Sequence, residues 1–174
     1  MSEIYQPAED SIFLSNFVIK EIKKLKPSKI LDLGSGSGFQ SKILLQNGIS
    51  SENIVLSDIN KEAIIYLKKE FPNSKVVLSD LFDNIKEKFN LIIFNPPYLP
   101  NDKFDSGLDT SGGKKGGYII NEFLRQVRKH LLKNGKILIL TSSFTKGINW
   151  GDFNKKLLGK KRIFFEELYV WELV

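Results

Sequence analysis

Short apolar runs alternate with helix-forming segments along this chain, and the alternation limits the fold more than any other feature of the sequence. The runs have the length of buried strands, and turn or helix-capping residues stand between them. They lie at Lys29–Leu33, Asn53–Ser57, Lys75–Ser79, Phe89–Ile93 and Lys136–Leu140. Because such strands separated by helices form βαβ units, the sequence predicts an α/β fold with a Rossmann-like, doubly wound, mostly parallel sheet.

The helices come from four amphipathic segments. Apolar residues recur at helical spacing from Ile12 to Leu25, and Pro27 ends that helix. The others are predicted at Phe39–Asn47, from the capping residue Asn60 to about Phe71, and at Tyr118–Leu132. Residues 162–173 are interpreted as a pair of strands, antiparallel at a sheet edge. Residues 99–117 are predicted to form a long polar loop. We expect one domain over 1–174, in which residues 1–28 form a turn and a helix packed on the sheet.

The residue composition removes several kinds of chemistry from consideration. The chain of 174 residues has no Cys and one His, so disulfides, a metal site and a Cys or His nucleophile are not expected. It has no apolar run of about 18 residues and no signal peptide, which predicts a soluble, cytoplasmic protein without membrane contact. The net charge of +6 is compatible with RNA or acidic partners but weakly informative, because lysines on helix faces also serve solvation.

The fourth predicted strand runs into Asn95-Pro96-Pro97-Tyr98. Each proline fixes its own φ, lacks an N–H and pushes the preceding residue out of the helical region, so the segment must be a stiff, extended turn. Ligands of open α/β sheets bind at the carboxyl ends of the strands, where this turn lies. The pattern indicates either a ligand-facing turn or an ordinary proline-rich strand exit.

A glycine-rich turn follows the first strand. Gly34, Gly36 and Gly38 stand between that strand and a helix, where glycines let backbone N–H groups approach a ligand closely. A dinucleotide fingerprint would place its third glycine at the position of Phe39. This chain instead has Asp32 in the strand end, and an acid there suits a cofactor with a cationic amine better than a pyrophosphate.

Two further acids end the next two strands. Asp58 stands where a carboxylate can accept both hydroxyls of a ribose. Asp80-Leu81 closes the third strand and could receive an adenine amino group. Helix capping is the alternative for either acid alone. Helix capping is a poor explanation for all three acids, Asp32, Asp58 and Asp80, at successive strand ends beside a glycine turn.

The motifs at the four strand ends together resemble the class I S-adenosylmethionine-dependent methyltransferases. They are Asp32–Gly38, Asp58, Asp80-Leu81 and Asn95–Tyr98. In that family Asn-Pro-Pro-Tyr marks enzymes that methylate planar amino or amide nitrogens. Pro7–Ser11 and Gly112-Gly113 with Gly116 are similar to the HemK-type glutamine methyltransferases of release factors, most closely the short archaeal and eukaryotic branch. The resemblance implies a seven-stranded sheet with an antiparallel terminal strand.

The resemblance also implies a role for each matching residue. The cofactor contacts would be Asp32 and Gly34 at the methionine end, Gly36 and Gly38 in the glycine turn, Ser11 and Asn95 beside the cofactor, Asp58 at the ribose, Ile59 on the adenine ring, and Asp80 with Leu81 at the adenine amino group. The catalytic residues would be Asn95, Pro96 and Tyr98. The Asn95 side-chain oxygen and the Pro96 carbonyl would bind the two hydrogens of a planar NH₂, and Tyr98 would pack on its planar group.

The expected function is methylation of a glutamine side-chain amide in a peptide chain release factor. The first alternative is methylation of an exocyclic amino group of an RNA or DNA base, which uses the same motif but needs a surface that reads nucleic acid. No inserted recognition domain is evident in the sequence, so nucleic acid is not favoured. The second alternative is a non-catalytic subunit, which the intact motifs disfavour. Relatives often carry Trp where this chain has 109–111, and that departure weakens the substrate assignment.

A protein partner is also implied by the resemblance. Short-branch members often pair with a small zinc-binding activator protein that covers apolar surface beside the cofactor site. Val76-Val77-Leu78 would be the outer strand here, and an unpaired strand edge invites the addition of another strand. The alternative is an edge covered by the chain's own helices.

Overall fold

Strands and helices alternate as the sequence predicts. The computed structural model describes residues 4–99 and 116–174. Its helices are α1 (Glu9–Leu25), α2 (Phe39–Gln46), α3 (Lys61–Glu70) and α4 (Tyr118–Val127), and its strands are β1 (Ile30–Leu33), β2 (Ile54–Asp58), β3 (Lys75–Leu78), β4 (Phe89–Phe94), β5 (Leu131–Ser142), β6 (Lys155–Ile163) and β7 (Glu166–Leu173). The expected cap of α3 is present, since the Asn60 side chain accepts the Glu62 N–H at 2.9 Å.

The strands form one seven-stranded sheet in the order β3-β2-β1-β4-β5-β7-β6. Neighbours from β3 to β5 are parallel, and β7 is antiparallel to both β5 and β6. This confirms a doubly wound, mostly parallel sheet with an antiparallel terminal strand, although β7 lies one position inside the edge that β6 forms. The order of strands reverses between β1 and β4, which is the switch point where open sheets bind ligands.

Apolar cores lie on both faces of the sheet. On one face, α1, α2 and α3 pack through residues such as Leu14, Leu44 and Leu67. On the other, α4 packs through Ile120 and Phe123. Because both faces are covered, the inner parallel strands carry apolar residues on both faces rather than in alternation with polar ones.

The strand register brings the predicted site residues together. Leu33, the last residue of β1, pairs with Ser57 of β2 and with Phe94 of β4. The next residues along the chain are Gly34, Asp58 and Asn95. These three residues therefore lie next to one another at the carboxyl ends of β1, β2 and β4, at the switch point.

The predicted helix over 118–132 is wrong at its C-terminal end. After α4 the chain makes a single 3₁₀ turn at Arg128–His130, and β5 begins at Leu131. Leu131 pairs with Phe89 of β4, and a register shift after that pair accommodates Asn134, whose φ is +63°. Pairing with a distant strand thus overrides the local preference for helix, which is a usual outcome for strand ends.

The predicted start of the first C-terminal strand at Arg162 is also late. The strand β6 begins at Lys155 and is the outer strand, so its lysines face solvent. Edge strands are often rich in lysine, so they lack the apolar run by which a buried strand is predicted. The predicted outer position of Val76–Leu78 is confirmed, since β3 lies at the other edge.

Part of the predicted polar loop over 99–117 lies outside the described residues. This applies to the Gly112-Gly113 motif and to the departure at residues 109–111. In the ranges that the structure describes, no helix is long and apolar enough to cross a membrane.

Candidate active site

A cavity of about 420 Å³ opens at the carboxyl ends of β1, β2 and β4. Its lining comes from the segment before α1, the glycine turn, the residues after β2, the Asn95–Tyr98 turn and the connection between β6 and β7. The volume lies within the range of roughly 300–1,000 Å³ found for cofactor and small-molecule sites. The cavity is therefore large enough for a nucleoside cofactor.

The carboxylate of Asp10 is the centre of a hydrogen-bond cluster inside the cavity. It accepts the Tyr5 hydroxyl at 2.6 Å and the Ser11 backbone N–H at 2.6 Å. It also accepts the Asn95 Nδ2 group at 3.1 Å and the Tyr98 hydroxyl at 3.2 Å. Asp10 is buried at the start of α1, and these four donors replace water in stabilising its negative charge.

The Asp10 carboxylate fixes which way the Asn95 amide points. A carboxylate can only accept, so the NH₂ side of the amide must face Asp10 and the oxygen must face away. The Asn95 Oδ1 atom is buried and has no hydrogen-bond partner among the described residues. A buried acceptor without a partner costs free energy, which marks this oxygen as a ligand-binding group.

Both tyrosines of the cluster are held in their neutral form. Burial raises the pKa of Tyr98 well above its usual range, and the negative charge of Asp10 raises it further. Burial and the hydrogen bond to Asp10 raise the pKa of Tyr5 in the same direction. Both hydroxyls therefore remain donors to Asp10 at any physiological pH.

Asp58 connects the glycine turn to the start of α3. Its Oδ2 accepts the Gly36 N–H at 2.7 Å, and its Oδ1 accepts the Asn60 N–H at 2.9 Å. Asp58 and its neighbour Ile59 line the cavity, and the Ile59 side chain is largely exposed. This is the place predicted for ribose and adenine contacts, and the assignment of those contacts stays a prediction.

The three predicted glycines have different surroundings. All three have positive φ, which favours glycine. Gly34 and Gly36 line the cavity. A Cβ on Gly38 would lie 2.4 Å from the Phe71 ring, so Gly38 permits close packing of the turn against α3 rather than facing the cavity.

Asp32 lies deeper than the sequence suggests. It is 3% exposed, and its Oδ2 accepts both the Ser41 hydroxyl at 2.6 Å and the Ser41 N–H at 3.1 Å. Burial raises the pKa of Asp32 to about 7, against the lowering effect of these hydrogen bonds. Asp32 lines a small adjoining cavity of about 30 Å³ together with Ser11, Gly34, Gln40 and Asn95.

Asp80 and Leu81 do not line either cavity. Asp80 is exposed, and Leu81 is in the left-handed backbone conformation with φ of +42°. Their predicted contacts with adenine stay predictions. Pro96 and Tyr98, by contrast, line the large cavity next to Asn95, as expected for a substrate-binding turn.

The charge of the large cavity is opposite to that of the chain. Four carboxyl side chains line it, namely Glu9, Asp10, Asp58 and Glu166, and no Lys or Arg among the described residues does. The chain as a whole carries +6. An acidic cavity favours neutral or cationic ligands and disfavours ligands rich in phosphate.

Sequence reasoning misses several residues of this site. The sequence marks Asp10 only as part of the Pro7–Ser11 motif, and it assigns no role to Tyr5. Gln40 is buried, donates to the Ser11 carbonyl at 2.9 Å and leaves its Oε1 without a partner among the described residues. Phe164 and Glu166 come from the far end of the chain, and no local signal connects them with the cavity.

The described residues fit a cationic nucleoside cofactor. The buried Asn95 oxygen lacks a partner, the cavity is lined with carboxylates, and Asp58 stands beside a glycine turn. In the described ranges, no group of three His, Cys, Asp or Glu side chains is arranged to hold a metal ion.

Comparisons with known proteins agree with this geometry. Residues 13–150 match the family described as methyltransferase small domain. A Methanocaldococcus jannaschii protein, named as a candidate protein N5-glutamine methyltransferase, is 35% identical, with 98% of this chain and 93% of that protein covered. A release factor glutamine methyltransferase of Lactococcus lactis is 31% identical over 64% of this chain and 46% of that protein. A ribosomal RNA small subunit methyltransferase C of Actinobacillus pleuropneumoniae is 29% identical over 87% of this chain and 42% of that protein.

Solved structures show the same fold at low sequence identity. A ribosomal protein L11 methylase from Lactobacillus delbrueckii has a TM-score of 0.64 at 17% identity, with 95% of this chain and 79% of that one covered. A methyltransferase crystallised with SAH (S-adenosylhomocysteine) has a TM-score of 0.62 at 16% identity over 95% of this chain and 50% of that one. The chain belongs to the methyltransferase small domain family and is an S-adenosylmethionine-dependent methyltransferase of class I fold.

Proposed function

We propose that this chain methylates the side-chain amide nitrogen of a glutamine in a peptide chain release factor. The observation that carries the proposal is the Asn95 amide, whose buried oxygen has no partner among the described residues and is pointed away from Asp10. An acceptor of this kind is complementary to an NH₂ group. The likeness to glutamine methyltransferases of M. jannaschii and L. lactis supports the same substrate class.

The chemical difficulty is that an amide nitrogen is a weak nucleophile, because its lone pair is delocalised into the carbonyl. The Asn95 oxygen and the Pro96 carbonyl would accept its two hydrogens and hold the nitrogen in place. As positive charge develops on the nitrogen, both hydrogen bonds strengthen, which stabilises the transition state more than the ground state.

S-adenosylmethionine, when bound, supplies an electrophilic methyl group on a positively charged sulfur. Asp58 with Ile59 would hold its nucleoside part, and Asp32 with Gly34 its methionine end. The cofactor contacts predicted from the sequence for Gly36 and Ser11 stay predictions. So do those of Asp80, Leu81 and Gly38, which line neither cavity. Tyr98 would pack on the planar amide of the substrate, and the orientation of both reactants supplies much of the rate.

Asn95 suits this task because its side chain is neutral and is fixed by its hydrogen bond to Asp10. A carboxylate at position 95 would stand beside the cationic methyl donor and could pair with it nonproductively. It would also repel Asp10, which lies within hydrogen-bond distance of the Asn95 side chain.

Methylation of a base in RNA or DNA is the second candidate, supported by the likeness to ribosomal RNA methyltransferase C. The carboxylates around the cavity weigh against it, because a nucleic acid would bring phosphates close to Glu9 and Glu166. A glutamine side chain on a polypeptide meets no such repulsion.

A small zinc-binding activator protein is proposed as a partner at the free edge of β3. Leu78 is 39% exposed there, and β3 pairs with β2 alone among the described strands. Strand addition at such an edge would complete the sheet. If the purified chain is monomeric, soluble and fully active without any partner, an obligatory activator is ruled out.

The substrate is tested by incubating the purified chain with radiolabelled S-adenosylmethionine and either the release factor or total RNA of the same organism. We expect label in the release factor and none in RNA. The Asn95→Ala variant is the negative control, in which neither substrate should be labelled. Label in RNA alone would overturn the proposal in favour of the second candidate.

A further inference from the structure

The connection between β6 and β7 displays two phenylalanines to solvent next to the cavity. Phe164 is 86% exposed and Phe165 is 92% exposed, and both belong to what we term the Phe hairpin, residues 163–166. Ile163, Phe164 and Glu166 line the cavity. The hairpin is thus continuous with the proposed active site.

The sheet topology explains why this hairpin reaches the active site. Because β7 is antiparallel to both β5 and β6, the strand β6 runs parallel to β5. Its C-terminal end at Ile163 therefore lies at the same edge of the sheet as the C-terminal end of β4, where Asn95 follows. The hairpin extends from the edge at which parallel sheets carry their ligands.

Stability of the fold does not account for phenylalanine at the tip. Phe164 has a φ of +51°, a left-handed conformation that is unfavourable for a residue with a Cβ atom and favours Gly or Asn. The Phe164 and Phe165 side chains bury almost none of their surface. Two adjacent aromatic side chains on a strained tip, with no packing in return, point to a binding partner.

The charges around the hairpin favour a polypeptide as that partner. Three basic residues of β6 lie beside the hairpin, and each has a partner. Lys160 pairs with Glu167 at 3.2 Å, Lys161 pairs with Glu9 at 2.9 Å, and the Arg162 Nε donates to the Phe164 carbonyl at 3.4 Å. Exposed aromatic side chains can also stack on bases, but single-stranded nucleic acid needs a positive groove along its backbone. Here the two lysines are matched by carboxylates, and Glu166 adds a further carboxylate to the adjoining cavity.

We propose that the Phe hairpin docks an apolar segment of the protein substrate beside the glutamine that is methylated. The inference rests on the proposed function and adds a contact surface for the substrate outside the catalytic turn. Phe164 and Phe165 would lose their exposed surface when the substrate binds, as do the aromatic anchors of protein interfaces.

The test is the double variant Phe164→Gly/Phe165→Ser, compared with wild type and with Ile65→Ser. Ile65 is 71% exposed on α3 and does not line the cavity, so its variant controls for loss of a surface apolar side chain. For each protein we would measure the thermal midpoint, the Kd for S-adenosylhomocysteine by calorimetry, and kcat and KM for the release factor.

We expect the double variant to raise KM for the release factor by about tenfold, as for loss of an interface anchor. The single variant Phe165→Ser, at a position that does not line the cavity, should show part of this rise in KM and should keep its kcat and its Kd for S-adenosylhomocysteine within about twofold of wild type. The thermal midpoint of the double variant should be equal or higher, because glycine relieves the left-handed strain. A structural role for the tip would lower the midpoint instead, and that result would overturn the inference.

Other outcomes separate this inference from the proposed function. If wild type methylates the release factor and the double variant has the KM of Ile65→Ser, the docking surface is wrong and the function stands. If wild type transfers no methyl to the release factor, both are wrong. RNA could instead accept the methyl group, with a KM for RNA that is higher in the double variant than in wild type. In that case the hairpin binds nucleic acid, and the peptide assignment is overturned.

Discussion

Asp10→Asn is the substitution that most directly tests how the structure orients Asn95. The two side chains have the same shape, but the amide replaces one accepting oxygen with a donating NH₂ group. In the native cluster Oδ1 of Asp10 faces the Ser11 N–H, and Oδ2 faces Asn95 and Tyr98. Neither orientation of an amide at position 10 can satisfy all of these donors.

The magnitude follows from which donor loses its acceptor. With the new NH₂ toward Ser11, a buried backbone N–H is left unpaired, which costs about 1–3 kcal/mol. With the NH₂ toward Asn95, the Asn95 amide can turn over and accept from it, so its own NH₂ then faces the cavity. That arrangement cannot accept from a substrate NH₂, and loss of one oriented transition-state hydrogen bond lowers kcat by about 100- to 1,000-fold.

The assay compares Asp10→Asn with Tyr5→Phe. Tyr5→Phe removes one of the shortest hydrogen bonds to Asp10 while leaving the acceptor for Asn95 in place. We expect the control to keep kcat within about tenfold of wild type, since a single neutral donor is lost. We expect Asp10→Asn to bind S-adenosylhomocysteine within a few-fold of wild type. An Asp10→Asn enzyme whose kcat is within about threefold of wild type and whose free energy of unfolding is unchanged would refute the orienting role of Asp10.

Three further substitutions test the other assignments. Asn95→Ala should abolish methyl transfer and leave calorimetric affinity for S-adenosylhomocysteine within a few-fold; full activity would remove Asn95 from the reaction. Asp58→Ala should weaken that affinity by about 10- to 100-fold, the contribution of hydrogen bonds to a charged group, and unchanged affinity would contradict the ribose assignment. Burial raises the pKa of Asp32 to about 7, so the folded chain keeps a proton on this carboxyl group up to about that pH. The unfolded chain releases the proton near the ordinary pKa of 3.8. The contribution of Asp32 to the free energy of unfolding should therefore fall as pH rises from about 4 to 7, by up to about 1.4 kcal/mol per pH unit, and Asp32→Asn should remove that contribution from the slope in urea titrations. Equal slopes in both proteins would disprove the raised pKa.

The mostly parallel sheet follows from the sequence because its strands and helices depend on local patterns. Five apolar runs, the Asn60 cap and the glycine turn each have a signature within a few residues. The parallel order then brings Gly34, Asp58 and Asn95 to one edge without further information.

Other parts of the site depend on contacts between distant residues. Asp10 and Asn95 are 85 positions apart, and only the fold shows that the carboxylate of the first points the amide of the second. The early start of β5 at Leu131 depends in the same way on its pairing with Phe89. The Phe hairpin reaches the cavity because β7 is inserted between β5 and β6, which no local pattern reveals.

The central claim is that the methyl group is placed on a glutamine amide nitrogen, and tandem mass spectrometry of a co-expressed release factor tests it most directly. Fragment ions should place one added methyl group on the side chain of a single glutamine. The modification should be absent when the co-expressed enzyme is Asn95→Ala. A release factor without any added methyl group, or one methylated equally with wild type and with Asn95→Ala, would contradict the account.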